Sequence, residues 1–412
     1  MPPQAAIEEV NPQAIERARA AGSGVVRETP VLSSGTLSAR SGTPILLKAE
    51  NLQGTGSFKL RGALAKLAAL GEQAAGGVVC GSAGNHAQAV ASAARARGVA
   101  CEVFMPEAAP IAKADAVQSL GATLHLSGRS VDEAVALAQE RARERDMCFI
   151  HPFDDPDVVS GQGGVGLELL EQIPDLARVV VPVGGGGLIS GIAVAVRSQR
   201  PEVEVVGVQV HACAPVAASL RAGRPVAVDT ARTIADGIAV KRPGALTLAL
   251  IERWVTDIVT VDEDEVAEAM VLLLERSKLV VEGAGAVGVA ALLAERLPPP
   301  QGTGVTALVL SGGNVGAGML AEVARRHETQ ARRRLALLVR IPDLPGRLAE
   351  LLAAIGTTGA NLLDVQHIRE GLDLHIQETA VQLVLETRGP DHTAAVRAAI
   401  EAAGYHEATE IR

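Results

Sequence analysis

A chain of 412 residues, 48% of them hydrophobic, has material for two or three domain cores at about 150 residues each. With one Trp, one Tyr and four Phe, those cores must be aliphatic. A net charge of −9, with no basic run longer than Arg332-Arg333-Arg334, excludes nucleic acid as a partner. Cys80, Cys101, Cys148 and Cys213 form no CxxC pair, which fits free thiols in a reducing compartment and leaves no zinc or disulfide framework.

The N-terminus carries Glu8 and Glu9 and no apolar core, so it is not a signal peptide. Asn11 caps a helix with Pro12 in its first position, which stops at Ala20-Ala21-Gly22. A strand over 45–49 leads through Gly54-Thr55-Gly56-Ser57-Phe58-Lys59 into a helix with Leu60, Ala63, Leu64 and Leu67 on one face. The spacing then predicts strand 78–80, helix 87–97, strand 101–105, helix 111–120, strand 122–126, helix 131–145 and strand 148–150. Strands 179–183, 203–210, 258–261 and 305–310 follow, with helices between them.

Residues 179–196 lack charge over a length that borders on a membrane span. Pro182 and four successive glycines, each costing about 1 kcal/mol in a helix, make them a strand, a turn and a new helix instead. The expectation is a soluble, cytoplasmic protein with no membrane partner. Runs apolar on both faces and joined by helices are parallel strands buried in open α/β sheets.

The pattern changes near residue 330. Strand 335–341, helix 346–355, strands 361–369 and 374–387 around a turn at Glu370-Gly371, helix 391–403 and a short strand to Ile411 make a ferredoxin-like β-α-β-β-α-β unit. The proline-rich 297–302 is a surface loop, and the boundary falls at the polar helix end 325–334. The expected domains are 1–330, with a smaller subdomain at about 50–155, and 334–412.

Lys59 sits at the positive end of a helix, where the macrodipole disfavours the ammonium form and helps depress its pKa. An amine that is neutral part of the time is what Schiff-base chemistry requires; the competing reading is a surface lysine after a glycine-rich turn. Three further loops follow predicted strands and should converge outside their carboxyl ends. Ser82-Ala83-Gly84-Asn85-His86 presents backbone amides to a carboxylate, and Asn85 can donate to a phenolate-like oxygen. Gly184-Gly185-Gly186-Gly187-Leu188 is a phosphate cradle at a helix start. It is no dinucleotide loop, because Ile189 stands where the third glycine belongs, and no P-loop, because Lys-Ser/Thr does not follow. Ser311-Gly312-Gly313-Asn314 places a hydroxyl where a ring nitrogen can meet it. A lysine, a phosphate cradle and donors for a ring oxygen and a ring nitrogen together suit pyridoxal phosphate.

GSFKLRGA, SAGNHAQ, GGGGL, EGAGA at 282–286 and SGGN, in that order, resemble the fold-type II pyridoxal-phosphate enzymes over about residues 20–325, and within them the threonine dehydratases (threonine ammonia-lyases). Residues 334–412, with DLPGRL at 343–348, resemble an ACT domain. The resemblance implies that Lys59 carries the cofactor as an imine and acts as the catalytic base. It implies that Phe58 packs by the ring, Asn85 bonds the ring oxygen, Gly184 to Leu188 hold the phosphate and Ser311 faces the ring nitrogen. The loop Ser82, Ala83, Gly84, Asn85 and His86 would hold the substrate carboxylate, and Glu282 is given no role. Some relatives bind a cation through an acid just after strand 203–210; Gln209, Val210 and His211 stand there instead.

The implied activity is β-elimination of ammonia from L-threonine, and from L-serine, giving 2-oxobutanoate from threonine at the entry to isoleucine synthesis. A racemase of the same fold needs a second acid/base, and in related serine racemases a serine fills the position of Ala83. No nucleophile-binding motif marks a β-replacement synthase. A non-enzymatic amino-acid sensor would leave Lys59 and the glycine loop unexplained. The ACT resemblance implies a homodimer or homotetramer controlled by an amino-acid effector, isoleucine or valine. The effector would bind at Asp343, Leu344, Pro345, Gly346, Arg347 and Asn361.

Overall fold

The computed structural model describes residues 4–229, 232–298, 302–369, 374–405 and 408–410. The turn predicted at Glu370-Gly371, the centre of the loop 297–302 and the strand end at Ile411 lie outside the described residues. The strands in chain order are β1 (Val31–Ser33), β2 (Ile45–Lys48), β3 (Val78–Gly81), β4 (Cys101–Met105), β5 (Thr123–Leu126), β6 (Cys148–Phe149), β7 (Leu176–Pro182), β8 (Glu204–Val210), β9 (Asp257–Val261) and β10 (Val305–Val309). They are followed by β11 (Arg334–Pro342), β12 (Asn361–Ile368), β13 (Glu378–Glu386) and β14 (Ala408–Glu410). The chain forms two compact units, Met1–Gly316 and Ala317–Arg412.

The first unit holds two sheets. Strands β5-β4-β3-β6 form a small parallel sheet, and β1-β2-β10-β7-β8-β9 form a larger one, parallel except for β1. Valines explain the strand positions: β7 and β8 bury Val179, Val181 and Val205 between helix layers, where residues branched at Cβ pack well on a pleated surface buried on both sides. Because the strands run in parallel, the loops after β3, β7 and β10 leave their sheets at the carboxyl ends.

Three helices bring the chemistry into register. Lys59–Leu70, Pro156–Gln172 and Gly187–Arg197 meet at glycines. A Cβ on Gly161 would lie 2.6 Å from Gly62 Cα, and one on Gly191 would lie 2.3 Å from the Val159 carbonyl oxygen. Charge is buried at the same junction. Arg61 bridges Glu50 at 2.8 Å and Glu168 at 2.6 Å, and Lys48 reaches Glu168 at 2.6 Å. The carboxylate of Glu50 also accepts from the Thr29 hydroxyl. All four charged residues are buried.

In the second unit the sheet order is β12-β13-β11-β14, antiparallel throughout. Leu351, Ile355, Val396 and Ile400 of helices Arg347–Gly356 and Pro390–Ala402 cover Leu337, Val339, Val381 and Leu383.

Some boundaries differ from those the sequence predicts. The short edge strand β1 is not foreseen, the helix expected from 87 begins at Asn85, and the strand expected from 374 begins at Glu378. Helix Ala317–Gln330 groups with the second unit, whereas the sequence reading keeps residues up to 330 with the first. Among the described residues no helix is long and apolar enough to cross a membrane.

Candidate active site

The loops after β3, β7 and β10 line one cleft of about 790 Å³ with Phe58 and Lys59. Ser82, Ala83, Gly84, Asn85 and His86 form one wall, Gly184 to Leu188 another, and Ser311 the floor. The lysine segment is tied to that floor by backbone bonds. Phe58 N–H donates to Ser311 O at 3.1 Å, and Gly313 N–H donates to Gly56 O at 2.9 Å.

Lys59 is the first residue of its helix, and its Nζ donates to Pro152 O at 3.0 Å. The amine lies 5.3 Å from the Phe58 ring centroid. Burial lowers its pKa to about 8, against an opposing pull from the Glu282 carboxylate. The sequence pointed to the helix terminus as the cause; removal from water is the larger one.

The glycine loop is braced from behind. Thr247 Oγ1 donates to Gly185 O at 2.6 Å. Gly186 turns at φ +99, a left-handed conformation that side chains resist, and a Cβ on Gly185 would lie 2.4 Å from the Phe153 ring. The loop runs into helix Gly187–Arg197, whose first-turn amides have no partner within the helix. Gln209 is buried just beyond: its Nε2 donates to Val183 O at 3.2 Å, and its Oε1 accepts from Ala217 N–H at 3.0 Å. The position that suggested a cation ligand in relatives is here an amide bridge.

On the opposite wall, His86 Nε2 donates to Ile150 O at 3.0 Å. Burial first, then the Lys59 charge, push its pKa down to about 3, so it is a neutral imidazole at the working pH. The loop Ser82 to His86 therefore presents backbone N–H groups and the Ser82 hydroxyl, not an imidazolium, to the cleft.

Two groups of cleft residues escaped the sequence reading. Glu282, singled out only as part of EGAGA, is 6% exposed and accepts from Asn85 Nδ2 at 2.7 Å. Burial, helped by the charge of Asp236, raises its pKa to about 7. Its signal in sequence is a lone acid inside the run Val280-Val281-Glu282-Gly283-Ala284-Gly285-Ala286, where a charge survives only with a partner. The second group is the rim, where Lys113 pairs with Asp236 at 2.9 Å and Lys241 with Asp132. These pairs join the smaller subdomain to the segment 236–242, which has no periodicity to read.

The predicted effector residues lie in the second unit. Asp343 is bound by Arg369 at 2.5 Å, Arg347 by Glu350 at 2.7 Å, and Asn361 Nδ2 donates to Glu386 at 3.1 Å. Leu344 is exposed, and Gly346 turns at φ +92 directly before the helix. Asp343, one of the expected effector contacts, is thus paired within the unit.

Comparison with known proteins agrees with this geometry. The family described as "Pyridoxal-phosphate dependent enzyme" matches residues 23–319. An L-threonine ammonia-lyase of Geobacter sulfurreducens is 46% identical over 92% of this chain and 94% of its own length. One of Thermotoga maritima is 44% identical over 95% and 97%. A structure of maize serine racemase superposes with a TM-score of 0.73 at 34% identity, covering 78% of this chain and 99% of the other. With the cleft, its lysine and its glycine loop, these matches settle the family: the chain belongs to the fold-type II pyridoxal-phosphate dependent enzymes.

Proposed function

We propose that the chain is an L-threonine ammonia-lyase that converts L-threonine to 2-oxobutanoate and ammonia, with L-serine as a second substrate, at the entry to isoleucine synthesis. The observation that carries this reading is one cleft joining an amine of lowered pKa, a glycine loop at a helix start and an amide-rich wall, in a chain 46% identical to an enzyme of that name.

The cleft suits the cofactor. A methyl on Gly185 would fill the loop against Phe153, and Lys59 Nζ donates to a carbonyl and is held by no carboxylate among the described residues, leaving it able to form a covalent bond. Pyridoxal phosphate supplies an aldehyde carbon for amines to join and a ring that takes up the electron pair left at Cα. Amides of Gly184 to Leu188 would bind its phosphate. Phe58 would pack beside the ring, Asn85 would donate to the ring oxygen and the Ser311 hydroxyl would serve the ring nitrogen. In the Ser82 to His86 loop the backbone N–H groups of Ala83, Asn85 and His86 would hold the substrate carboxylate, since Ser82 N–H donates to Phe104 O at 3.0 Å and Gly84 N–H to the Ser82 hydroxyl at 3.3 Å. Lys59 would anchor the cofactor, and its amine, when free, would be the base that takes the Cα proton.

A pKa of about 8 leaves about a tenth of Lys59 neutral at pH 7, against about 0.03% for an ordinary lysine. Cofactor capture by the apoprotein is therefore expected to quicken as pH rises and to level off above about 8. Stopped-flow absorbance checks this, and a midpoint near 10 would contradict it. A coupled 2-oxo acid assay across a panel of amino acids tests the substrate assignment; activity confined to amino acids without a β-hydroxyl would overturn it.

A serine racemase is the rival reading, since a structure of maize serine racemase superposes with a TM-score of 0.73. Ala83 offers no proton for the second face of the substrate, so ammonia release should far outpace D-serine formation. Ala83→Ser is expected to raise racemisation while elimination persists, and chiral chromatography of residual serine measures both. Rapid D-serine formation by the unaltered chain would show that another residue supplies the proton.

The second unit would regulate the first by binding isoleucine, with valine as antagonist, in a homodimer or homotetramer. Backbone amides at the start of helix Arg347–Gly356, entered through Gly346, would take the effector carboxylate. Isoleucine is expected to shift substrate saturation by about 5–150-fold, and a chain ending at Gly316 should lose that response. Saturation curves unchanged by any branched-chain amino acid would refute regulation.

A further inference from the structure

Glu282 is a buried acid on the cleft wall that the chemistry derived above leaves without a task. Its surroundings give it one. The Asn85 side chain has an accepting and a donating end, and both are committed. Asn85 Oδ1 accepts from Asn314 Nδ2 at 2.8 Å, and one N–H of Asn85 Nδ2 goes to Glu282 Oε1 at 2.7 Å. Rotating the carboxamide by half a turn would set donor against donor at Asn314 and, with Glu282 ionised, acceptor against acceptor there.

The two outer members are fixed in their turn. Asn314 Nδ2 also donates to Thr55 O at 2.8 Å, and a Cβ on Gly56 would lie 2.3 Å from Asn314 Oδ1. Glu282 is pinned through its backbone, whose N–H donates to Gly312 O at 3.0 Å. Glu282 keeps an accepting oxygen whether or not it carries a proton. A chain from Thr55 through Asn314 and Asn85 to Glu282 thus links four separate segments of the first unit, and it leaves one N–H of Asn85 uncommitted within the cleft lining.

We infer that Glu282 is a positioning residue which, with Asn314, fixes the Asn85 carboxamide so that its second N–H meets the cofactor's ring oxygen. This rests on the reading in which Asn85 donates to that oxygen. Because Glu282 acts through Asn85, its removal should matter only while Asn85 is present.

The test titrates apoprotein with pyridoxal phosphate and reads the dissociation constant from the visible absorbance of bound cofactor, with thermal melting as a check of folding. Asn85→Ala is expected to weaken binding about tenfold, the scale of one lost hydrogen bond near a charged group. Glu282→Ala should weaken it about three- to tenfold in the wild-type background and less than twofold beside Asn85→Ala. Glu282→Gln, which keeps an oxygen for Asn85, should recover most of the loss. If Glu282→Ala does not fold, Asn314→Ala takes its place with the same expected collapse in the Asn85→Ala background. Equal losses in both backgrounds would overturn the relay alone. An Asn85→Ala protein that binds as tightly as wild type would overturn the underlying contact, and the inference with it.

Discussion

Lys59→Ala is expected to lose threonine elimination by at least about three orders of magnitude, because one amine serves as both anchor and base. Borohydride reduction of the holoenzyme followed by peptide mapping should place the pyridoxyl group on Lys59 alone. The neighbouring lysines are poor competitors for physical reasons. Lys48 is buried in an ion pair with Glu168 at 2.6 Å, and Lys66 is held by Asp155 at 2.7 Å and Asp157 at 3.0 Å. Against burial, the Asp155 and Asp157 pairs raise the pKa of Lys66. Burial lowers Lys48 as it lowers Lys59 to about 8, but the Lys48 ammonium is taken up by the Thr29 carbonyl, Glu168 and Gln172. A label on Lys48 or Lys66, or a Lys59→Ala protein with a tenth of wild-type turnover, would refute the assignment.

The largest loss of stability is expected from Arg61→Ala. Its guanidinium touches Glu50 and Glu168, both buried, and nothing of like charge could replace it except Lys48, already engaged. Breaking a buried pair by removing one partner costs about 3–5 kcal/mol, which for a unit of this size lowers Tm by on the order of 5 °C or more. The loss should depend on pH with a definite sign. Burial works to raise the pKa of Glu50, but Arg61 holds it below the ordinary 4.5. A depressed carboxylate contributes stability that is present above its unfolded pKa and disappears as pH falls through the folded one. The gap between wild type and Arg61→Ala should therefore be widest near neutrality and narrow below about pH 4.5. A melting shift under 1 °C, or a gap that widens in acid, would contradict this account.

The parallel strands were legible because both faces are buried, so that β7, β8 and β10 are rich in valine on both faces, with Arg178, Glu204, Gln209 and Thr306 as their polar interruptions. The edge strand β1 was not, since three partly exposed residues carry no periodicity. Lys59, the glycine loop and Asn85 stand in segments whose composition betrays them. The groups that steer them do not: Pro152 contributes a carbonyl, which every residue has, and Asn314 acts through a rotamer. Arg61 was visible as a residue and invisible as a buried charge, because its partners Glu50 and Glu168 stand 11 and 107 positions away. The limit of helix Ala317–Gln330 as a domain boundary was equally out of reach: its polar face reads the same whichever unit it joins.

The glycine contacts between helices Lys59–Leu70, Pro156–Gln172 and Gly187–Arg197 bear on how such an enzyme can change. Where backbones touch at Gly62, Gly161 and Gly191, even a methyl group collides with main chain, so random variation there is purged before selection for a new substrate can act. The rim of the cleft has no such ban. Val131 and Asp132 are exposed, and Ala239, Val240 and Arg242 complete that rim. A mutational library seeking activity on bulkier or more acidic amino acids should therefore return its survivors from the rim, while the three-helix junction comes back unchanged.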